Sequence, residues 1–150
     1  MSYITVSDLN KIYITTNREP VNALDDINLE IEEGEFVCIV GPSGCGKSTL
    51  LKILSGLLSI TSGSASLMGK AITGPHSDVG IVFQDPILLP WRTVLNNTLL
   101  PAEIMGLDPK VTHPRAHDLI KLVGLDEFEN VYPSELSGGM RQRNAIIRAL

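Results

Sequence analysis

The chain has 150 residues, enough for one ordinary domain, and 43% of them are apolar, enough for a buried core. Its 17 acids against 12 bases give a net charge of −5, which disfavours a nucleic-acid partner, whose phosphates attract basic surfaces. The two cysteines, Cys38 and Cys45, are too few for a disulfide framework, and no apolar run approaches the ~18 residues of a membrane span, so a soluble protein in a reducing compartment is expected.

The first residues, Met1-Ser2-Tyr3-Ile4-Thr5, carry neither a basic n-region nor an apolar h-region, so no secretory leader is expected. Ile27, Leu29 and Ile31 alternate with Asn28, Glu30 and Glu32, the period of a half-buried strand. Glu32-Glu33-Gly34-Glu35 reads as the turn behind it. Phe36-Val37-Cys38-Ile39-Val40 is a continuous apolar run bounded by glycine, the pattern of a parallel strand buried on both faces. A glycine-rich loop follows. Leu50, Leu51, Ile53, Leu54 and Leu57 then form a broad helical stripe, with Gly56 as its stop.

Ser64–Met68 is a short strand candidate, and Val79–Phe83 a second buried strand ending at Gln84. After Asp85-Pro86 the pattern turns helical. Thr93–Met105 is a helix with a bend at Pro101, Pro114–Val123 is stopped by Gly124, and Met140–Leu150 carries Ala145, Ile146, Ala149 and Leu150 on one stripe. The α/β chain thus divides into a β-rich part over residues 1–85, a helical part over 86–136 and a further helix over 137–150.

Two segments carry chemistry. Gly41-Pro42-Ser43-Gly44-Cys45-Gly46-Lys47-Ser48 fits the phosphate-binding pattern G-x-x-x-x-G-K-[ST], and it sits between a strand pattern and a helix pattern, the context it needs. Glycines let backbone N–H groups converge on phosphate oxygens, and the helix adds its positive N-terminal end. Lys47 is placed to reach the β- and γ-phosphates, the Ser48 hydroxyl to bind Mg²⁺, and Thr49 to reach the α-phosphate. Cys45 lies inside this loop and is expected to react faster than Cys38, which falls in the buried-strand pattern. Further on, Ser137-Gly138-Gly139 opens a helix with a good N-cap and two bare amides, a second anion site or a glycine turn.

Leu136-Ser137-Gly138-Gly139-Met140-Arg141-Gln142-Arg143 resembles the signature of the ABC ATPase family. The resemblance runs from Tyr3 to Leu150. It implies the P-loop NTPase fold of ABC type, a β-rich Walker A part followed by a helical signature subdomain. It makes Gln84 the Q-loop glutamine, which contacts Mg²⁺, and Tyr13 the aromatic that stacks on adenine, with core packing as the alternative for Tyr13. Met140 stands where the family usually has glutamine. That form, with Leu88-Leu89-Pro90-Trp91-Arg92-Thr93-Val94, resembles the nitrate/sulfonate/taurine importer branch.

The same resemblance implies ATP and Mg²⁺ as cofactors and a head-to-tail homodimer. In such a dimer each ATP lies between one subunit's phosphate loop and the other's Ser137–Met140. It also implies a transmembrane permease as partner and peripheral attachment at the cytoplasmic face of the membrane; no nucleic acid is expected, on the acidic charge. Leu88, Leu89 and Trp91 would suit permease contact or the local core equally.

Family members continue with an apolar strand ending in Asp-Glu and, later, a histidine at the γ-phosphate. No such strand end occurs here, and His76, His113 and His117 all precede the signature. The expectation is an N-terminal portion that binds ATP without hydrolysing it, its core sheet incomplete. Three other readings stand beside it. One is a kinase or GTPase of another P-loop class. One is a chromosome-maintenance ABC ATPase, which would need coiled-coil insertions absent here. The last is a non-catalytic nucleotide-binding or regulatory chain.

Overall fold

The computed structural model describes residues 2–150. These fall into two compact units, the first ending at Val79 and the second running from Gly80 to Leu150.

The first unit is a four-stranded antiparallel sheet with one helix against it. Strands β1 (Ile4–Ile14), β2 (Pro20–Ile31), β3 (Ser62–Leu67) and β4 (Lys70–Ala71) lie in the order β2-β1-β3-β4. Val6, Leu9, Leu24 and Ala65 from the sheet and Leu50 and Ile53 from helix α1 (Lys47–Leu54) form its core. Ile27, Leu29 and Ile31 are each half-buried between exposed neighbours, so the period-two pattern holds.

Sequence patterning does not single out β1, because its alternation is broken. The β1–β2 register shifts between Val6 and Leu9, where Asp8 takes φ +48. Two asparagines repair the interrupted ladder: Asn28 Oδ1 accepts from the Asp8 N–H at 2.9 Å, and Asn10 Oδ1 accepts from the Asp26 N–H at 3.0 Å. Strand β3 passes this bulge so closely that a Cβ on Gly63 would lie 2.2 Å from the Asp8 carbonyl oxygen. Glycine is therefore required there.

The second unit is helical: α2 (Val94–Ile104), α3 (Pro109–Leu122) and α4 (Gly138–Arg148), with 3-10 turns at Asp126–Phe128 and Pro133–Glu135. Thr93, Asp108 and Ser137 cap the three helices through their side chains. Val94, Ile120, Leu125, Leu136 and Ile147 make the core. Helix α3 begins five residues earlier than Pro114, because Asp108 caps it and Pro109 fits its first position. The expected stripe on α4 is corrected too: Ala145 and Ile147 are buried, whereas Ile146 and Leu150 are exposed.

Two expected strands do not form. Phe36–Val40 and Val79–Phe83 are irregular, and Phe36 and Val40 are 93% and 88% exposed. A parallel strand exists only through ladder bonds to neighbours on its edges. The sheet among the described residues is antiparallel, contains neither segment, and so gives them no ladder to join.

Candidate nucleotide-binding site

Helix α1 starts at Lys47, directly behind the glycine loop. Gly46, at its N-cap position, has φ +93, and a Cβ there would lie 2.5 Å from the Ala23 carbonyl oxygen and 2.6 Å from Leu24 Cδ2. Both the backbone conformation and the packing demand glycine. In consequence no side chain caps α1, and its first-turn amides are left for a ligand. Gly44 is likewise in the left-handed region, with open space where a Cβ would be.

Ser43, Gly44, Cys45 and Ser48 are exposed, and Lys47 and Thr49 half-buried. The Lys47 ammonium donates to the carbonyl oxygens of Gly41 and Pro42, both at 2.7 Å, and lies 3.6 Å from Cys45 Sγ. The loop is thus curled around its own cation. No acid occurs among residues 41–49. Uncapped amides, a fixed cation and open space over Gly44 together suit a multiply charged phosphate chain.

The second anion candidate is built on α4. Ser137 has extended backbone angles, and its Oγ accepts from the Met140 N–H at 3.3 Å. Gly138 and Gly139 are exposed, and nothing lies within 4 Å of a Cβ on Gly139. Leu136, 4% exposed, anchors the segment in the helical core, and the Arg141 guanidinium holds the Leu136 carbonyl. The Met140 side chain packs against that same core. A methionine here therefore secures the helix inwardly, while the Ser137-Gly138-Gly139 edge faces solvent.

Gln84 is exposed, in a bend after Phe83. Tyr13, near the end of β1, keeps its ring 40% exposed, with the Lys11 ammonium 5.3 Å from the ring centroid. Of the apolar cluster after Gln84, Leu88 is buried, Leu89 half-buried and Trp91 69% exposed. That segment divides between local core and open surface.

Cys38 and Cys45 are both exposed free thiols. The expected shielding of Cys38 is therefore corrected, since its strand does not form. Maleimide should label both cysteines, and Mg-ATP should protect only Cys45, the one inside the phosphate loop. Peptide mapping of the labelled chain reads the difference; equal protection of both thiols would oppose the loop assignment.

The family profile described as ABC transporter matches residues 24–150. The chain is 49% identical over 147 residues to an ABC transporter ATP-binding protein, MJ0412, of Methanocaldococcus jannaschii, covering 98% of this chain and 55% of that protein. It is 45% identical to the nitrate import ATP-binding protein NrtD of Synechocystis, covering 99% of this chain and 55% of that one. It is 48% identical to the taurine import ATP-binding protein TauB of Rhizobium johnstonii, covering 87% and 50%. The chain therefore spans about half the length of the curated relatives it matches. Among solved structures, a dimeric ATP-binding cassette, MJ0796, bound to ADP and Pi in a post-hydrolysis state superposes with a TM-score of 0.87 at 36% identity, covering 98% of this chain and 68% of that one. A second dimeric structure of MJ0796 gives 0.88.

Proposed function

This chain belongs to the ABC transporter family, and from that premise we propose that it is the ATP-binding portion of an importer's energy-coupling subunit. The observation that carries the reading is the uncapped start of α1 behind a loop curled around Lys47. Gly41, Pro42, Ser43, Gly44, Cys45 and Gly46 would cradle the phosphates of ATP with their backbone, Lys47 would meet the β- and γ-phosphates, and Thr49 the α-phosphate. Tyr13 would stack on the adenine. Ser48 and Gln84 would hold Mg²⁺, whose charge would polarise the phosphate oxygens.

Ser137, Gly138, Gly139 and Met140 would close over the nucleotide of a second copy arranged head to tail. Supporting this are the solvent-facing amide edge at Gly138-Gly139 and the dimeric cassettes that the chain resembles. A membrane permease would dock near Ile87 and Trp91, which are 56% and 69% exposed. Among the described residues no helix is long and apolar enough to cross a membrane; attachment would be through the permease, on the cytoplasmic face. Similarity to nitrate and taurine import proteins supports a small solute bearing an oxyanion group as the cargo class.

Hydrolysis needs a positioned water and an acid beside the metal. Within these 150 residues the apolar run Val79–Phe83 leads into Gln84 and not into an acidic pair. The 150-residue polypeptide should therefore bind ATP while phosphate release stays at background. Nucleotide titration and phosphate release on the same purified sample test this. Turnover that survives removal of contaminating ATPases would contradict it, and absence of any ATP binding would sink the proposed function. The non-catalytic regulatory reading predicts the same two results for these residues but no turnover in any longer product of the gene.

A further inference from the structure

Two consecutive residues of α2 are polar and buried: Asn97 is fully inaccessible and Thr98 is 8% exposed. They face different structures. Asn97 serves the turn that precedes its helix. Its Oδ1 accepts from the Leu89 N–H at 2.8 Å, and its Nδ2 donates to the carbonyls of Leu89 at 3.1 Å, Arg92 at 2.9 Å and Thr93 at 3.0 Å. The Leu89 and Thr93 carbonyls also accept the backbone N–H groups of Arg92 and Asn97, so this one carboxamide adds to the turn's own bonds the pairing of the Leu89 N–H and the Arg92 carbonyl. The outside of the turn carries Ile87 and Trp91, both exposed.

Thr98 serves α4. Its hydroxyl donates to the Val94 carbonyl at 3.0 Å and accepts from Asn144 Nδ2 at 2.8 Å. Asn144 is fully buried and also donates to the Val94 carbonyl at 3.3 Å, while its Oδ1 has no partner. Helix α4 also bonds once to the stretch ahead of the turn, at Phe83, and once to the turn itself, at Ile87. Gln142 Nε2 donates to the Phe83 carbonyl at 3.4 Å, and the Arg148 guanidinium donates to the Ile87 carbonyl. Burial draws the Arg148 pKa below its usual value, yet an arginine keeps its charge, so this tether does not titrate.

A buried polar network with an orphaned acceptor is a poor choice for stability alone, since apolar side chains of similar shape would pack without that penalty. Its directional bonds do fix geometry. We propose that Asn97, Thr98 and Asn144 are positioning residues that clamp the exposed turn Ile87–Trp91 to the signature helix, so that a load on the turn is felt at Ser137–Met140. The proposal rests on the reading above, in which a partner meets that turn and the signature meets a nucleotide.

The test uses the protein as its gene encodes it. Hydrogen exchange at the Leu89 amide, which bonds to Asn97, is read with and without Mg²⁺ and a non-hydrolysable ATP analogue. Nucleotide binding and pairing of subunits are measured on the same samples. Nucleotide-driven pairing should raise Leu89 protection about 5-fold or more, the low end of ordinary site-to-site coupling. Asn144→Leu should erase that rise while barely moving the melting temperature, because the orphaned oxygen leaves along with the donor. Thr98→Val should also erase the rise but lower the melting temperature, because the buried Asn144 amide loses its acceptor, and Thr98→Ser, which keeps the hydroxyl, should behave as the parent protein. If Asn144→Leu fails to fold, the two Thr98 variants carry the test. Pairing without a change at Leu89, or a rise that persists in Asn144→Leu and Thr98→Val, would overturn the clamp and leave the proposed function standing. Neither binding nor pairing would overturn both.

Discussion

Lys47→Ala should lower ATP affinity by about 10- to 150-fold, the equivalent of losing ~1.5–3 kcal/mol of charge-assisted bonding to phosphate. The structure gives the substitution a second effect. The ammonium also bridges the carbonyls of Gly41 and Pro42, so the loop loses the cation it curls around. These are two bonds from a charged donor to carbonyls, worth about 1.5–3 kcal/mol each when buried and less at a loop this open to solvent. The fold should survive, and only the binding isotherm should collapse. Titration with a fluorescent ATP analogue, beside a thermal melt, separates the two effects. An unchanged dissociation constant would remove Lys47 from the site.

Ile120→Ala should destabilise the helical unit by ~2–5 kcal/mol, the usual cost of emptying a fully buried aliphatic site. Ile120 is 0% exposed and packs with Val94, Leu125, Leu136 and Ile147. Leu136, a member of the same cluster, directly precedes the Ser137 cap of α4. Leu122→Ala is the control on the same helix as Ile120. At 78% exposed it should change stability by about 0.5 kcal/mol or less. Urea denaturation of the two variants should differ by most of the Ile120 effect, and similar midpoints would mean that the assigned core is wrong.

What could be read from the sequence was what local spacing determines. The glycine loop, the Ser137 cap and the stop at Gly56 each depend on residues a few positions apart. The structure places each of them at the expected helix end. The start of α3 is also legible in Asp108-Pro109, an N-cap followed by a proline at the first helical position, whereas Pro114, which reads as a start, lies inside the helix. Phe36–Val40 shows the limit of patterning. Its composition states that it belongs in a buried parallel sheet, but strand formation depends on partners elsewhere in the chain. Strand β1 was hidden for the opposite reason, because its bulge at Asp8 destroys the alternation that would have announced it. Asn97 and Asn144 could not have been found by pattern at all. An asparagine on a helix reads as exposed, and only the packing of α2, α4 and the turn before α2 makes each one buried.

In the proposed dimer, the Lys47 loop of one subunit and the Ser137–Met140 segment of another would complete a single nucleotide site. A mixing experiment tests it most directly, in the protein as its gene encodes it. One preparation carries Lys47→Ala, the other Ser137→Arg, and each alone should release no phosphate above background. In a mixture, the pair of subunits joins one intact loop to one intact signature, so phosphate release should return in proportion to the mixed dimer. A mixture as silent as its components, while the parent protein turns over under the same conditions, would contradict the account. So would full activity from Ser137→Arg alone.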